Sequence, residues 1–214
     1  MYIPKHFEVT DWDAITQFVV RAGAVDLVTI DEAGLPVSTV LPCVWDTTSM
    51  QDGDYGTLVM HMAKSNDQWK AIKGGSPGLA IVFGAQAYVS PSNYENKGTD
   101  HRVVPTWNYQ RVHLSGIVEV SEDVETLRQI VSTLTDVHES KRSDPWRVDQ
   151  ADSKYMEGQL KAIVAVTMHV NRVEAKDKLS QNRPLEDRVR IVADLQASGN
   201  IQAVKIAEEM EKNL

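Results

Sequence analysis

Six stretches rich in valine, isoleucine, leucine and aromatic residues follow one another along the chain, without the regular strand and helix alternation that a parallel sheet requires. VDLVTI, VSTVLPCVW and GTLVMHMA come first, joined by the turn DEAGLP, with its Gly34 and Pro36, and by a polar loop from Thr47 to Asp54. LAIVFGAQAYVS follows the breaker GGSPG, and Asn108 to Val120 alternates after a polar loop from Pro91 to Val104. Val164, Val166, Met168 and Val170 mark the last strand. Successive strands of this kind pair antiparallel, and closing the sheet removes its edges. The pattern predicts a β-rich α+β fold, a closed or partly closed antiparallel barrel with flanking helices.

The helices are legible from spacing and caps. Thr10 with Asp13 makes a capping-box-like pair ahead of Trp12, Ile15, Phe18 and Val19, and Gly23 supplies the stop. Ser65 to Lys73 reads as a short helical piece capped by Ser65 or Asn66. Longer helical patterns run from Val124 to Glu139 and from Lys154 to Ile163. The tail from Pro184 to Asn213 reads as two helices, with Pro184 in the first turn, a stop near Gly199 and a cap at Asn200.

Composition removes several functions. Lys and Arg total 22 against 30 for Asp and Glu, a net charge of -8, so a polyanion meets an unfavourable field. Direct DNA binding is not expected: the last helix carries Glu208, Glu209 and Glu211 against Lys205 and Lys212. Cys43 is the only cysteine and the six histidines are scattered, which leaves no internal disulfide, no four-thiolate zinc site and no expected metal centre. No stretch approaches the roughly 20 apolar residues of a membrane-spanning helix, and the reading is of a cytoplasmic protein. Gly74 to Gly78 fits G-x-S-x-G, but a nucleophile elbow needs a strand before it and a helix after it, the reverse of the order here. H-E-x-x-H, P-loop and G-x-G-x-x-G motifs are absent.

Three segments can carry chemistry. His61 lies on the strand face opposite Leu58, Met60 and Met62, and Lys64, Ser65 and Asn66 follow at the strand end. Lys64 supplies charge and its neighbours supply donors for a phosphate; the competing reading is a solvated turn with a cap. Trp107, Asn108, Tyr109 and Arg111 offer aromatic faces, an amide and a cation to a planar, partly polar ring. They equally suit barrel or interface anchors, and Arg111, His113 and Tyr109 share one strand face. Lys176, Lys178, Ser180, Gln181, Asn182 and Arg183 form a polar string after the last strand. It suits a phosphate or a partner subunit, or simply a loop that caps the next helix.

These segments resemble the PaiB family, described as FMN-binding split-barrel negative transcriptional regulators. The resemblance runs through MYIPKHF, GTLVMHMAKSNDQW, AYVSPSNY, VVPTWNYQRVHLSG, DPW and KLSQNRPLEDR, nearly the whole chain in the family's order. It implies a six-stranded antiparallel split barrel over residues 1–183. Residues 184–214 then form a helical extension packed on the same domain or on a dimer partner. It further implies a homodimer with FMN or a related molecule between the subunits. His61, Lys64, Ser65 and Asn66 match the motif near the flavin phosphate, while Trp107, Asn108, Tyr109, Lys178, Ser180, Gln181 and Asn182 match the other site segments. Asn93 stands where the family usually has an aromatic residue, which removes one stacking surface. A flavin-dependent oxidoreductase or haem-handling protein and a cofactor-free binding dimer are the competing functions.

Overall fold

The computed structural model describes residues 1–48, 50, 53–94 and 103–214. Parts of the two polar loops read from the sequence, residues 49, 51, 52 and 95–102, lie outside the described residues. Six antiparallel strands close into a ring: β1 (Ala24–Ile30), β2 (Pro36–Asp46), β3 (Thr57–Ala63), β4 (Ser76–Val89), β5 (Thr106–Ser121) and β6 (Ile163–Lys178). Their order around the ring is β1, β2, β3, β6, β5, β4, so a three-strand meander is followed by a crossover to β6. Closure is made where Asp26, Leu27 and Val28 pair with Ile81, Ala80 and Leu79. Among the described residues the α-helices are α1 (Trp12–Ala22), α2 (Val124–Glu139), α3 (Ser153–Leu160), α4 (Leu185–Ala197) and α5 (Ile201–Glu211). No helix among the described residues is long and apolar enough to cross a membrane.

Two compact units make up the chain. The first comprises Met1–Ile15, Phe83–Val112 and Glu174–Leu214; the second comprises Thr16–Val82 and His113–Val173. In the second unit the alternation of each strand sends Leu27, Leu58, Met60, Val82, Leu114, Val118, Val166 and Met168 inward, none of them exposed. Burying each such side chain contributes about 1.5–3 kcal/mol, and together they fill the ring with side chains. α2 and α3 cover its outer surface, with Leu127, Ile130, Leu134 and Leu160 packed with Ala165, Val44, Val59 and Ile163. Gly116 has no alternative at its position, because an added Cβ would stand 2.0 Å from the carbonyl oxygen of His169.

In the first unit α4 and α5 pack on β4. Ile191, Val192, Leu195, Ile206, Ala207 and Met210 bury the face presented by Ala85, Ala87 and Val89. Asn200 caps α5, its side chain accepting from the amides of Gln202 and Ala203, as the sequence predicts. Pro184 is itself the N-cap of α4, one residue before the expected first-turn position.

The structure corrects two local expectations. The cap of α1 is Asp11, whose Oδ1 accepts from Ala14 N at 3.1 Å, because a carboxylate one residue nearer the helix displaces the Thr10 hydroxyl from that role. β6 continues to Lys178, so Lys176 and Lys178 belong to a strand and not to the loop after it. The isolated bridge between Glu8 and Lys176 and the bond from Val9 N to Ala175 O show why: the N-terminal segment supplies this polar stretch with backbone partners.

Candidate functional site

The strand end in the second unit is built from β3 outward. His61 opposes Ala165 of β6 and so lies on the helix-covered side of the sheet, away from Met60 and Met62. Its Nδ1 is buried without a hydrogen-bond partner, and burial holds the imidazole below the ordinary histidine range. Lys64 forms an ion pair with Glu122, both side chains about half exposed. Its carbonyl accepts from the indole of Trp69 at 3.0 Å. Ser65 is exposed. Asn66 is spent on structure: its Oδ1 accepts from Gln68 N at 3.0 Å and its amide donates to Thr39 Oγ1 at 2.8 Å.

Sequence reasoning passed over Gln68. It is buried, with Nε2 donating to Leu27 O at 2.9 Å, Thr29 Oγ1 at 3.1 Å and Val37 O at 3.3 Å, while Oε1 accepts from Thr39 Oγ1 at 2.5 Å. The one available signal is a glutamine two residues after the Asn66 cap, a pattern too common to notice.

In the first unit the structure brings two of the sequence segments onto each other. Lys178 Nζ donates to Thr106 Oγ1 and, at 2.7 Å, to the carbonyl of Trp107. Ser180 Oγ and the Asn108 amide exchange hydrogen bonds at 3.0 and 3.1 Å, and Asn108 also donates to Met210 Sδ at 3.4 Å. The left-handed backbone of Ser180, φ 61°, aims its hydroxyl there. Gln181 braces the same turn, donating to Asp177 O at 2.6 Å and accepting from Leu179 N at 2.8 Å, and Asn182 is exposed.

Period-two spacing separates the β5 residues into two sets. Asn108 and Gln110 are buried in line with Val112 and Leu114, and Gln110 Nε2 donates to Asp177 Oδ2 at 3.2 Å. Trp107, Tyr109 and Arg111 occupy the opposite face, so Asn108 does not stand beside the two rings. Trp107 is 47% exposed and its ring centroid lies 6.4 Å from that of Tyr88, the planes inclined by 60°. Arg111 stands 4.3 Å above the Phe83 ring and 5.7 Å from Tyr109, and its guanidinium donates to Gly84 O, Gln110 O and Gln86 Oε1. Burial lowers its pKa from the ordinary arginine range.

Lys176 is the residue that sequence reading placed least well. It is only 5% exposed, with Nζ donating to Tyr2 O at 3.0 Å and lying 5.1 Å from the Tyr109 ring, 5.7 Å from Tyr2 and 5.9 Å from Phe7. Burial first, and then the charges of Lys176 and Arg183, hold Lys178 below the usual lysine range. Aromatic rings, a stack of cations and a locally positive potential suit a flat ring bearing an anionic group. Asn93 donates to Asp194 Oδ2 at 2.9 Å, tying the turn after β4 to α4 instead of offering a ring.

Residues 1–172 match the family described as "Putative FMN-binding domain". The chain is 34% identical over 214 residues to the protease synthase and sporulation protein PAI 2 of Bacillus subtilis (strain 168), covering 100% of this chain and 98% of that one. Among solved structures it is similar to the FAD and heme binding protein from Mycobacterium smegmatis, with a TM-score of 0.58 and 16% identity over 90% of this chain and 80% of that one. A flavocytochrome from Azotobacter vinelandii matches with a TM-score of 0.58 and 13% identity over 88% and 78% of the two chains. At such identities these two likenesses speak for the fold, and it is the antiparallel split barrel expected from the sequence.

Proposed function

The chain belongs to the PaiB family, and from that premise we propose that it is a cytoplasmic, homodimeric FMN-binding regulator that lowers transcription without itself docking on DNA. The observation that carries the reading is the face of β5 on which Trp107, Tyr109 and Arg111 stand together, with Lys178 fastened to the backbone of Trp107. These residues fit FMN. Trp107 and Tyr109 would stack on the ring system, and Arg111 would meet its polar edge. Lys178, whose pKa is depressed by burial and then by neighbouring cations, gains from an arriving phosphate. In the second unit, taken by itself, Lys64 with Ser65 is a separate candidate phosphate seat, its cation now paired with Glu122. When bound, FMN supplies electron-transfer chemistry, and the protein's part is to orient the ring and control access to it.

The dimer reading rests on a mixed sheet face in the second unit. Val28, Ile30, Val40, Leu79 and Ile81 surround Asp26 and Ser38 on it through the registers of β1 with β2 and β4, and Ile30 and Val40 remain exposed. Against direct DNA contact stand the net charge of -8 and the exposed Glu208 and Glu211 on α5.

FMN titration of the cofactor-free protein tests the site. Lys64→Ala or Lys178→Met is expected to weaken binding by about tenfold while the fold persists, the pair showing which cation takes the phosphate. Unchanged affinity in both variants sinks the reading. Val40→Lys is expected to shift the dimer to monomer by light scattering; a wild type that is already monomeric removes the dimer. The second reading, a flavin-dependent oxidoreductase, draws on the flavin and haem proteins of like fold. NAD(P)H-dependent flavin reduction measured beside promoter binding at physiological salt separates the two.

A further inference from the structure

A cleft of about 440 Å³ opens in the first unit, lined by Gln86, Tyr88 and Trp107 on one side and by Asp194, Asn200 and Gln202 on the other. We propose that it binds a purine ring bearing an exocyclic amino group, held against Tyr88 and Trp107 with the amino group on Asp194.

Shape and chemistry both lead there. Tyr88 and Trp107 are large side chains left 53% and 47% exposed, and their inclined rings make an open corner with two aromatic surfaces. Such surfaces favour flat heteroaromatic rings. The side-chain carbonyls at the wall are already engaged: Gln86 Oε1 accepts from Arg111 at 2.7 Å, and Asn200 Oδ1 accepts from two amides of α5. Their NH₂ groups remain to donate, which suits ring nitrogens and carbonyls. Asp194 accepts from Asn93 through Oδ2, leaving Oδ1 as an anionic acceptor for an amino group.

Charge decides among ligand classes. Arg111 and Lys178 stand behind the cleft, bonded to Gln86 and to the Trp107 carbonyl, so a permanent organic cation is repelled. Asp194 repels an anion. A neutral ring that combines acceptors with an amino donor satisfies both walls; adenine, guanine and cytosine have that combination, and the two-ring purines offer the larger face to the Tyr88 and Trp107 corner. The cleft shares only Trp107 with the residues assigned to FMN, so the inference goes beyond that reading.

Calorimetric titration with adenosine, guanosine and inosine tests it, in cofactor-free protein and again with FMN added to saturation. Adenosine or guanosine binds with 1:1 stoichiometry, and inosine, which lacks the amino group, binds about tenfold more weakly. Tyr88→Ala, at an exposed position, lowers the affinity at least tenfold, while Asp194→Asn removes the preference over inosine. The proposal is overturned if none of the three nucleosides gives saturable heat at millimolar concentration, or if Tyr88→Ala binds like the wild type. Because both ligands use the Trp107 ring, FMN at saturation lowers the adenosine affinity, and the proposal is equally overturned if Tyr88→Ala weakens FMN as much as adenosine, which makes the cleft the flavin seat itself. FMN affinity measured in the same protein reads the flavin site separately, so either reading can fail without the other.

Discussion

The two units bury polar side chains to opposite ends. In the second, Gln68 bonds to Thr29, Thr39 and two backbone carbonyls, and Asn66 closes the set, so the network ends in itself. In the first, Asn108 and Ser180 are partnered behind the face on which Trp107 is half exposed, while Lys176 and Lys178 are held on its near side, over the Tyr109 ring and on the Trp107 carbonyl. Polar groups satisfied among themselves make a barrel rigid. Polar groups that prop up rings left open to solvent make a surface ready for a ligand, because large exposed apolar area is otherwise costly to keep.

That contrast can be broken by stability measurements. The largest effect is expected from Gly116→Ala in the second unit, where the new Cβ collides with the His169 backbone; a loss of more than about 4 kcal/mol in urea unfolding is expected. Next comes Cys43, whose thiol burial pushes up to about 12 from an ordinary 9.0. A folded pKa above the unfolded one means that stability is complete below about pH 9 and declines as pH rises towards 12, by roughly 4 kcal/mol in all. Cys43→Ala, titrated over the same range, lacks that decline. Gln68→Ala leaves buried acceptors and hydroxyls unpaired and costs about 3 kcal/mol. The smallest effect belongs to the first unit: Trp107→Ala stays within about 1 kcal/mol of the wild type yet weakens FMN binding at least tenfold. If it destabilises as much as Gln68→Ala, Trp107 is a packing anchor and the contrast between the units is lost.

Several of these features were legible in the chain. The alternation of Val112, Leu114 and Val118 placed β5 and its inner face, and Asn200 announced the start of α5. The same alternation, carried four residues further back, separates Asn108 and Gln110 from Trp107 and Tyr109. Amides and rings in one short segment read together as a ligand set, and that chemistry hides the separation. Lys176 was unreadable in principle: a lysine signals solvent, and only the packing of Tyr2, Phe7 and Tyr109 around it accounts for its burial. His61 was placed on the correct strand face, but what covers that face is decided by α2 and α3, more than sixty residues away.

By itself the amino-acid order determined the strands, most helix ends and the antiparallel class, since these follow from periods of 2 and 3.6 and from caps a few residues apart. It also determined family membership, through short motifs in a shared order. Only the tertiary structure decided that the VPTWNY and KLSQNR segments hold each other. It alone showed that one polar cluster closes on itself while another supports an open aromatic face. The reason is physical: period and capping are local properties, whereas a side chain's partner, and hence its charge state and exposure, is set by whichever distant strand or helix is packed against it.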